Sequence, residues 1–208
     1  MARRVVDEHM RRYYDERARE YDDWWLGRGL FEARPRPGWS EEVEELISVI
    51  DALPPARTLD VACGTGMLTR HLTGELVALD QSDAMVAVAT ERMPDVPVVQ
   101  GDAVPLPFDD GEFERIFTSH FYGHLLPEER EPFLVEARRV ARELVVVDSA
   151  LRDGVAAEEH QERILNDGSR HTVYKRFFAP EELAGELGGG RVLHAGGWFL
   201  AVAASLCG

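Results

Sequence analysis

The chain has 208 residues, with 23 Lys and Arg against 38 Asp and Glu, a formal net charge of -15, and 45% hydrophobic residues. That length suits one domain, or one domain with a small appendage. So negative a field argues against nucleic acid or an anionic membrane surface as partner. The two cysteines, Cys63 and Cys207, make neither a disulfide framework nor a zinc cluster. No apolar run nears the roughly 20 residues of a membrane span, and charge follows Arg3 and Arg4 where a signal-peptide core would stand. These features predict a cytoplasmic protein, monomeric or homodimeric.

Residues 1–50 are helical in character and rich in charge and aromatics, with Tyr13, Tyr14, Tyr21, Trp24 and Trp25. We expect them to form a helical cap within the same domain as a core over 51–208. Pro35, Pro37 and Gly38 break the helical pattern. Ser40 then reads as an N-cap, followed by Glu41 and Glu42 and by Val43, Leu46, Ile47 and Ile50 at helical spacing, until Pro54 and Pro55 end the run.

From residue 58 short apolar runs alternate with helical stretches. Strands are predicted at 58–62, 75–79, 96–99, 113–118 and 144–147, and helices at 67–72, 82–93 and 128–141. Such alternation implies a parallel sheet covered on both faces. The last runs, 191–194 and 198–204, are joined only by Ala195, Gly196 and Gly197. That link is too short for a crossover helix, so the pair should be an antiparallel hairpin.

The most informative stretch is Leu59-Asp60-Val61-Ala62-Cys63-Gly64-Thr65-Gly66. Its acid lies near the end of a buried strand, and two bare glycines let a ligand approach the backbone as the chain turns. Asp80 ends the next strand 14 residues after Gly66, where a carboxylate can take both hydroxyls of a ribose. Gln100-Gly101-Asp102-Ala103 ends the third, with an acid and a backbone amide for an adenine edge. Each acid alone is an ordinary turn former, but all three belong at the carboxyl edge of one sheet, where α/β folds bind ligands. A dinucleotide fingerprint would need a third glycine at Thr69. An NAD-dependent oxidoreductase is therefore the weaker alternative.

From about 58 to 147 the chain resembles the class I S-adenosylmethionine-dependent methyltransferases, especially the small-molecule branch known as the type 11 methyltransferase domain. The resemblance rests on Leu59 to Gly66, on Ala78-Leu79-Asp80-Gln81-Ser82, on Gly101 to Phe108 and on Ser119 to Leu125. It implies a doubly wound, Rossmann-like α/β fold, with a seven-stranded, mostly parallel sheet closed by an antiparallel C-terminal hairpin. It also implies S-adenosyl-L-methionine as cofactor and S-adenosyl-L-homocysteine as product. By resemblance, Asp60 to Gly66, including Ala62, Cys63 and Gly64, would hold the methionine part. Asp80 would hold the ribose with a minor contact from Gln81. Met85 would lie on the adenine face, Asp102 and Ala103 at its edge, and Ser119 beneath the cofactor. Ala62 stands where the family has its first loop glycine.

The remaining candidates face the chemistry. An amine or phenol acceptor needs to lose a proton, and His120 and His124 lie just past the fourth strand. Either could also simply pack. Their spacing lacks the neighbouring Glu and third ligand of a metal site, so no metal is expected. Tyr14, Arg17 and Tyr21 resemble a segment that folds over the cofactor, and Trp24 and Trp25 could wall the acceptor. The stretch 173–178 could touch the acceptor or be an edge strand. The net charge points to a neutral or cationic small molecule. A cofactor-binding module without catalysis, or a fold relative with non-methyl chemistry, is the alternative reading.

Overall fold

A computed structural model of the chain describes residues 8–206; Arg3, Arg4 and Cys207 lie outside that range. The helices are α1 (Glu8–Arg17), α2 (Asp23–Leu26), α3 (Trp39–Asp51), α4 (Asp83–Arg92), α5 (Pro127–Val140) and α6 (Pro180–Glu186). The strands are β1 (Thr58–Val61), β2 (Leu76–Asp80), β3 (Val98–Gln100), β4 (Arg115–Ser119), β5 (Glu143–Ser149), β6 (Glu158–Ile164), β7 (Arg170–Arg176), β8 (Arg191–Ala195) and β9 (Phe199–Ser205).

Seven strands form one sheet in the order β3-β2-β1-β4-β5-β9-β8. Neighbours from β3 to β5 are parallel, and β9 runs antiparallel to both β5 and β8. This is the predicted architecture, hairpin included. Alternation along the buried strands divides the core between two faces. Leu144, Val146, Leu200 and Val202 pack with Phe133 and Ala137 of α5 and Leu183 of α6. Val145, Val147, Phe199 and Ala201 pack on the other side with Leu46 and Ile50 of α3 and with Trp25 and Trp39. Parallel strands of this order bring the ends of β1, β2, β3 and β4 to one edge, which is where a crevice opens.

Two local expectations are corrected. Ser40 lies inside α3, whose N-cap is Gly38 at φ 73; the left-handed turn that starts the helix suits glycine better than serine. The stretch 67–72 holds only a 3₁₀ turn, Thr69–His71, because the Thr69 hydroxyl is drawn back to Asp60 at 2.5 Å. The run 173–178 falls largely on an edge strand, one of the two readings given for it. Its residues up to Arg176 belong to β7, which pairs antiparallel with β6 in a separate two-stranded ribbon. Neither β6 nor α6 was anticipated, since Glu-Glu-His-Gln-Glu-Arg carries no apolar alternation.

Candidate functional site

The crevice begins where β1 turns. Ala62 adopts φ 59 and Gly64 φ 56, both left-handed. The turn lets the Gly64 N–H donate to Asp80 Oδ2 at 2.8 Å, while the Ser82 N–H donates to Oδ1 at 2.9 Å. Asp80 thus ties the first loop to the start of α4. Its carboxyl is 6% exposed, and burial raises its pKa to about 6 against the pull of those amides. Asp60 lies deeper. The Thr69 hydroxyl occupies one of its oxygens, Oδ1 is buried without a partner among the described residues, and burial pushes the pKa up to about 8. Thr69, the position of the missing third glycine, is therefore engaged in fixing an acid rather than opening a path for pyrophosphate.

The N-terminal segment closes over this loop. The Tyr21 ring would stand 3.5 Å from a Cβ added at Gly64, so a side chain there would fill the space between loop and ring. Asp22 accepts from the Thr65 hydroxyl at 2.6 Å and from Arg92. Asp15 accepts from the Ser82 hydroxyl at 2.5 Å, and that same hydroxyl caps α4 by accepting from the Met85 N–H. Arg17 donates to the Tyr13 hydroxyl at 2.6 Å and lies over the Tyr21 ring. On its other side α1 packs on the ribbon, with Tyr13 against Val173 and Leu165.

Between these walls lies a cavity of about 260 Å³. Of the sequence candidates, Tyr14, Tyr21, Ala62, Gly64, Asp80, Gln81, Ala103, Ser119, His120 and His124 line it. Asp60, Cys63, Gly66, Met85 and Asp102 do not. Met85 is fully buried on α4. Cys63 is buried with its thiol pKa raised by burial, and Gly66 at φ 76 abuts Met93. Gly101 and Ala103 line the cavity on either side of Asp102. The walls that sequence reasoning missed include Leu79, Phe121, Leu125 and, from the ribbon, His160 and Thr172. Tyr174 also lines it, from within the stretch suspected of touching an acceptor.

The two histidines differ. His120 sits at φ 52, a strained value for a side chain with a Cβ, of the kind that gathers at functional sites. Its ring packs edge-on against Trp24 and Trp25, and its Nε2 is buried without a partner among the described residues. His124 Nδ1 lies 2.6 Å from the Tyr174 carbonyl, which can only accept, so the proton belongs on Nδ1 and the Nε2 lone pair is open. Burial, then the Lys175 charge, lowers both pKa values well below the ordinary histidine value, so both rings are neutral at pH 7. Trp25 is a core residue stacked on Phe199, while Trp24 lines a second, smaller recess of about 30 Å³ with Arg17, Arg163 and Lys175. Among the described residues no group of three His, Cys, Asp or Glu could hold a metal ion, and no helix is long and apolar enough to cross a membrane.

Residues 59–145 match a family model described as a methyltransferase domain. The demethylmenaquinone methyltransferase of Renibacterium salmoninarum is 35% identical over 100 residues, covering 47% of this chain and 41% of that protein. Its counterpart from Thermotoga maritima is 32% identical over 139 residues, covering 64% and 57%. The chain spans about half the length of the curated relatives it matches. Among solved structures, a DhpI–SAH complex is 26% identical with a TM-score of 0.70 over 94% of both chains. A DhpI-SAM-HEP complex shares the fold at 23% identity, with a TM-score of 0.75 over 98% of this chain and 100% of that one. Residues 59–145, which carry β1 to β4 and the crevice at their ends, are thus similar to methyltransferase domains, on a sheet whose fold the DhpI–SAH complex shares.

Proposed function

We propose that the protein transfers a methyl group from S-adenosylmethionine to oxygen or nitrogen of a small-molecule acceptor, with S-adenosylhomocysteine as product. The observation that carries this reading is the Asp80 carboxylate, locked to the Gly64 and Ser82 amides at the mouth of a strand-end cavity. The residues present fit the cofactor. Asp80, on the cavity wall, would accept the ribose hydroxyls. Gly101 and Ala103 offer backbone beside the adenine, and Gly64 leaves room for the methionine part under Tyr21.

When bound, the cofactor supplies a methyl group already activated on a sulfonium sulfur, so the protein's share is mainly alignment and exclusion of water. Tyr14 and Tyr21 help enclose the cavity. The His124 Nε2 lone pair can take a proton from an acceptor hydroxyl or amine, while its Nδ1–H holds the ring to Tyr174.

Calorimetry with S-adenosylhomocysteine tests the reading directly. The wild type should bind, and Asp80→Ala should bind at least tenfold more weakly, because each charge-assisted hydrogen bond contributes about 1.5–3 kcal/mol. No binding at millimolar ligand, or equal affinity in a folded Asp80→Ala variant, would overturn it.

A further inference from the structure

The small recess beside the main cavity is walled by four residues that also line that cavity, Tyr14, Tyr21, His120 and His124, so the two spaces adjoin. Its other walls carry three cations, Arg17, Arg163 and Lys175, in a chain whose net charge is -15. Lys175 is paired with Asp148, whose carboxylate also accepts from the Gly123 and Ser149 amides. Among the described residues the two guanidiniums have no such counter-charge. Arg17 is 7% exposed and donates only to the Tyr13 hydroxyl among the described residues. Arg163 donates to the Gln161 side chain, which stands between it and Glu159, and its Nε is buried without a partner among the described residues. The groups acting most on these two arginines are tyrosine hydroxyls and, for Arg163, the like charges of Arg17 and Arg34.

Buried cations are costly unless an anion meets them. S-adenosylmethionine cannot serve by itself, since its ammonium and sulfonium outweigh its one carboxylate. Even with that carboxylate on Arg17, Arg163 and the outer donors of Lys175 stay unmatched. Arg163 and Lys175 project from the same face of the ribbon, through the cross-strand pairs Arg163↔His171 and Glu159↔Lys175. His120, whose Nε2 is without a partner among the described residues, lines the same space. Planar guanidinium forks suit the paired oxygens of an oxyanion.

We propose that this recess binds the anionic headgroup, a carboxylate or phosphoryl group, of the methyl acceptor, with Arg163 and Lys175 as its principal ligands and Arg17 beside them. The proposal rests on the methyl-transfer reading and names the substrate class: a small organic anion whose body reaches from the recess toward the cofactor cavity. It reverses the expectation of a neutral or cationic acceptor. Exposed carboxylates are screened over about 8–10 Å in physiological salt, whereas cations walled into a recess are screened far less. The local charge therefore selects the ligand.

The test is titration calorimetry on the full chain, with and without saturating S-adenosylhomocysteine, using acetate, methylphosphonate, inorganic phosphate and neutral acetamide at constant ionic strength. At least one anion should bind with a millimolar or tighter dissociation constant, and acetamide should not. Preference for acetate or for the phosphorus anions separates carboxylate from phosphoryl recognition. Arg163→Gln should weaken the anion tenfold or more and Arg163→Lys less, with S-adenosylhomocysteine affinity unchanged in both. If Arg163→Gln lowers the melting temperature but leaves anion affinity intact, Arg163 is only a ribbon support and the proposal fails. If S-adenosylhomocysteine binds and no anion does, the proposal fails while the methyl-transfer reading stands. Anion binding without any S-adenosylhomocysteine binding would overturn both.

Discussion

The His124 imidazole donates from Nδ1 to the Tyr174 carbonyl, and that bond fixes which nitrogen can act on a substrate. Burial and the nearby Lys175 and Arg163 charges hold its pKa well below the ordinary value, while Asp148 and the Tyr174 carbonyl pull weakly the other way. The sign follows directly: protonation, which removes the base, occurs only well below pH 6.5. Turnover should thus be flat between pH 7 and 8 and fall at lower pH than an exposed histidine would give. His124→Ala should lower kcat by roughly 10²–10⁴-fold with S-adenosylhomocysteine affinity near wild type. An acceptor that arrives already ionised needs no base. Near-normal kcat in His124→Ala would show that case and remove His124 from proton transfer.

At the scale of elements, the loop after β1 shows why residue type and backbone conformation must be judged together. Ala62 replaces a family glycine, and by composition that exchange adds only a methyl group. In the structure it places a Cβ at φ 59, where an L-residue pays about 1–2 kcal/mol in steric strain. Ala62→Gly should therefore leave stability unchanged or raise it by up to about 1 kcal/mol, the strain relief being partly offset by the freer unfolded chain. Gly66→Ala should do the reverse. It has φ 76, and its new Cβ would come within 2.6 Å of Met93 Cε, so a loss of about 1 kcal/mol or more is expected. Denaturant unfolding of the two variants checks the opposite signs. A destabilised Ala62→Gly would mean that the methyl group contributes packing that outweighs its strain. The same loop is held from outside by α1 and its sequel, through Asp15 on Ser82 and Asp22 on Thr65.

Over the whole molecule, buried titratable groups of opposite kind shape stability against pH. Asp60, raised to about 8, and Asp80, raised to about 6, keep protons in the folded state that unfolded carboxylates have lost above about pH 4. Both stabilise at low pH and lose that contribution as pH rises to their folded values. His120 and His124, depressed by burial, act the other way: stability is lost as pH falls below about 6.5, where the unfolded rings charge. Above that point only Asp60 of these four is still changing the balance. Stability of the ligand-free protein should decline between pH 7 and 8 by about 1 kcal/mol, and the decline should vanish in Asp60→Asn. Equal stability of the wild type at both values would show that Asp60 is already ionised.

Patterning along the chain was enough to read the sheet, its final hairpin and the strand-end loops that line the cavity. Those features rest on local signals: apolar runs long enough for a strand, turns too short for a crossover, and Gly64 and Asp80 set at strand ends. Ser40 and 67–72 were misread because helix starts depend on φ and on distant partners, here Gly38 at φ 73 and the Thr69–Asp60 bond. Met85 and Asp102 carry a family resemblance, yet the side chain of the first is consumed by packing and the cavity touches only the neighbours of the second. The cationic recess proposed for the acceptor is invisible in the chain order and arises only from the tertiary structure. Arg17, Arg163 and Lys175 are scattered among acids along the chain and count there toward a net negative total. Only the folding of the β6–β7 ribbon against α1 gathers them into one recess, where burial strips away the screening that makes surface charges interchangeable.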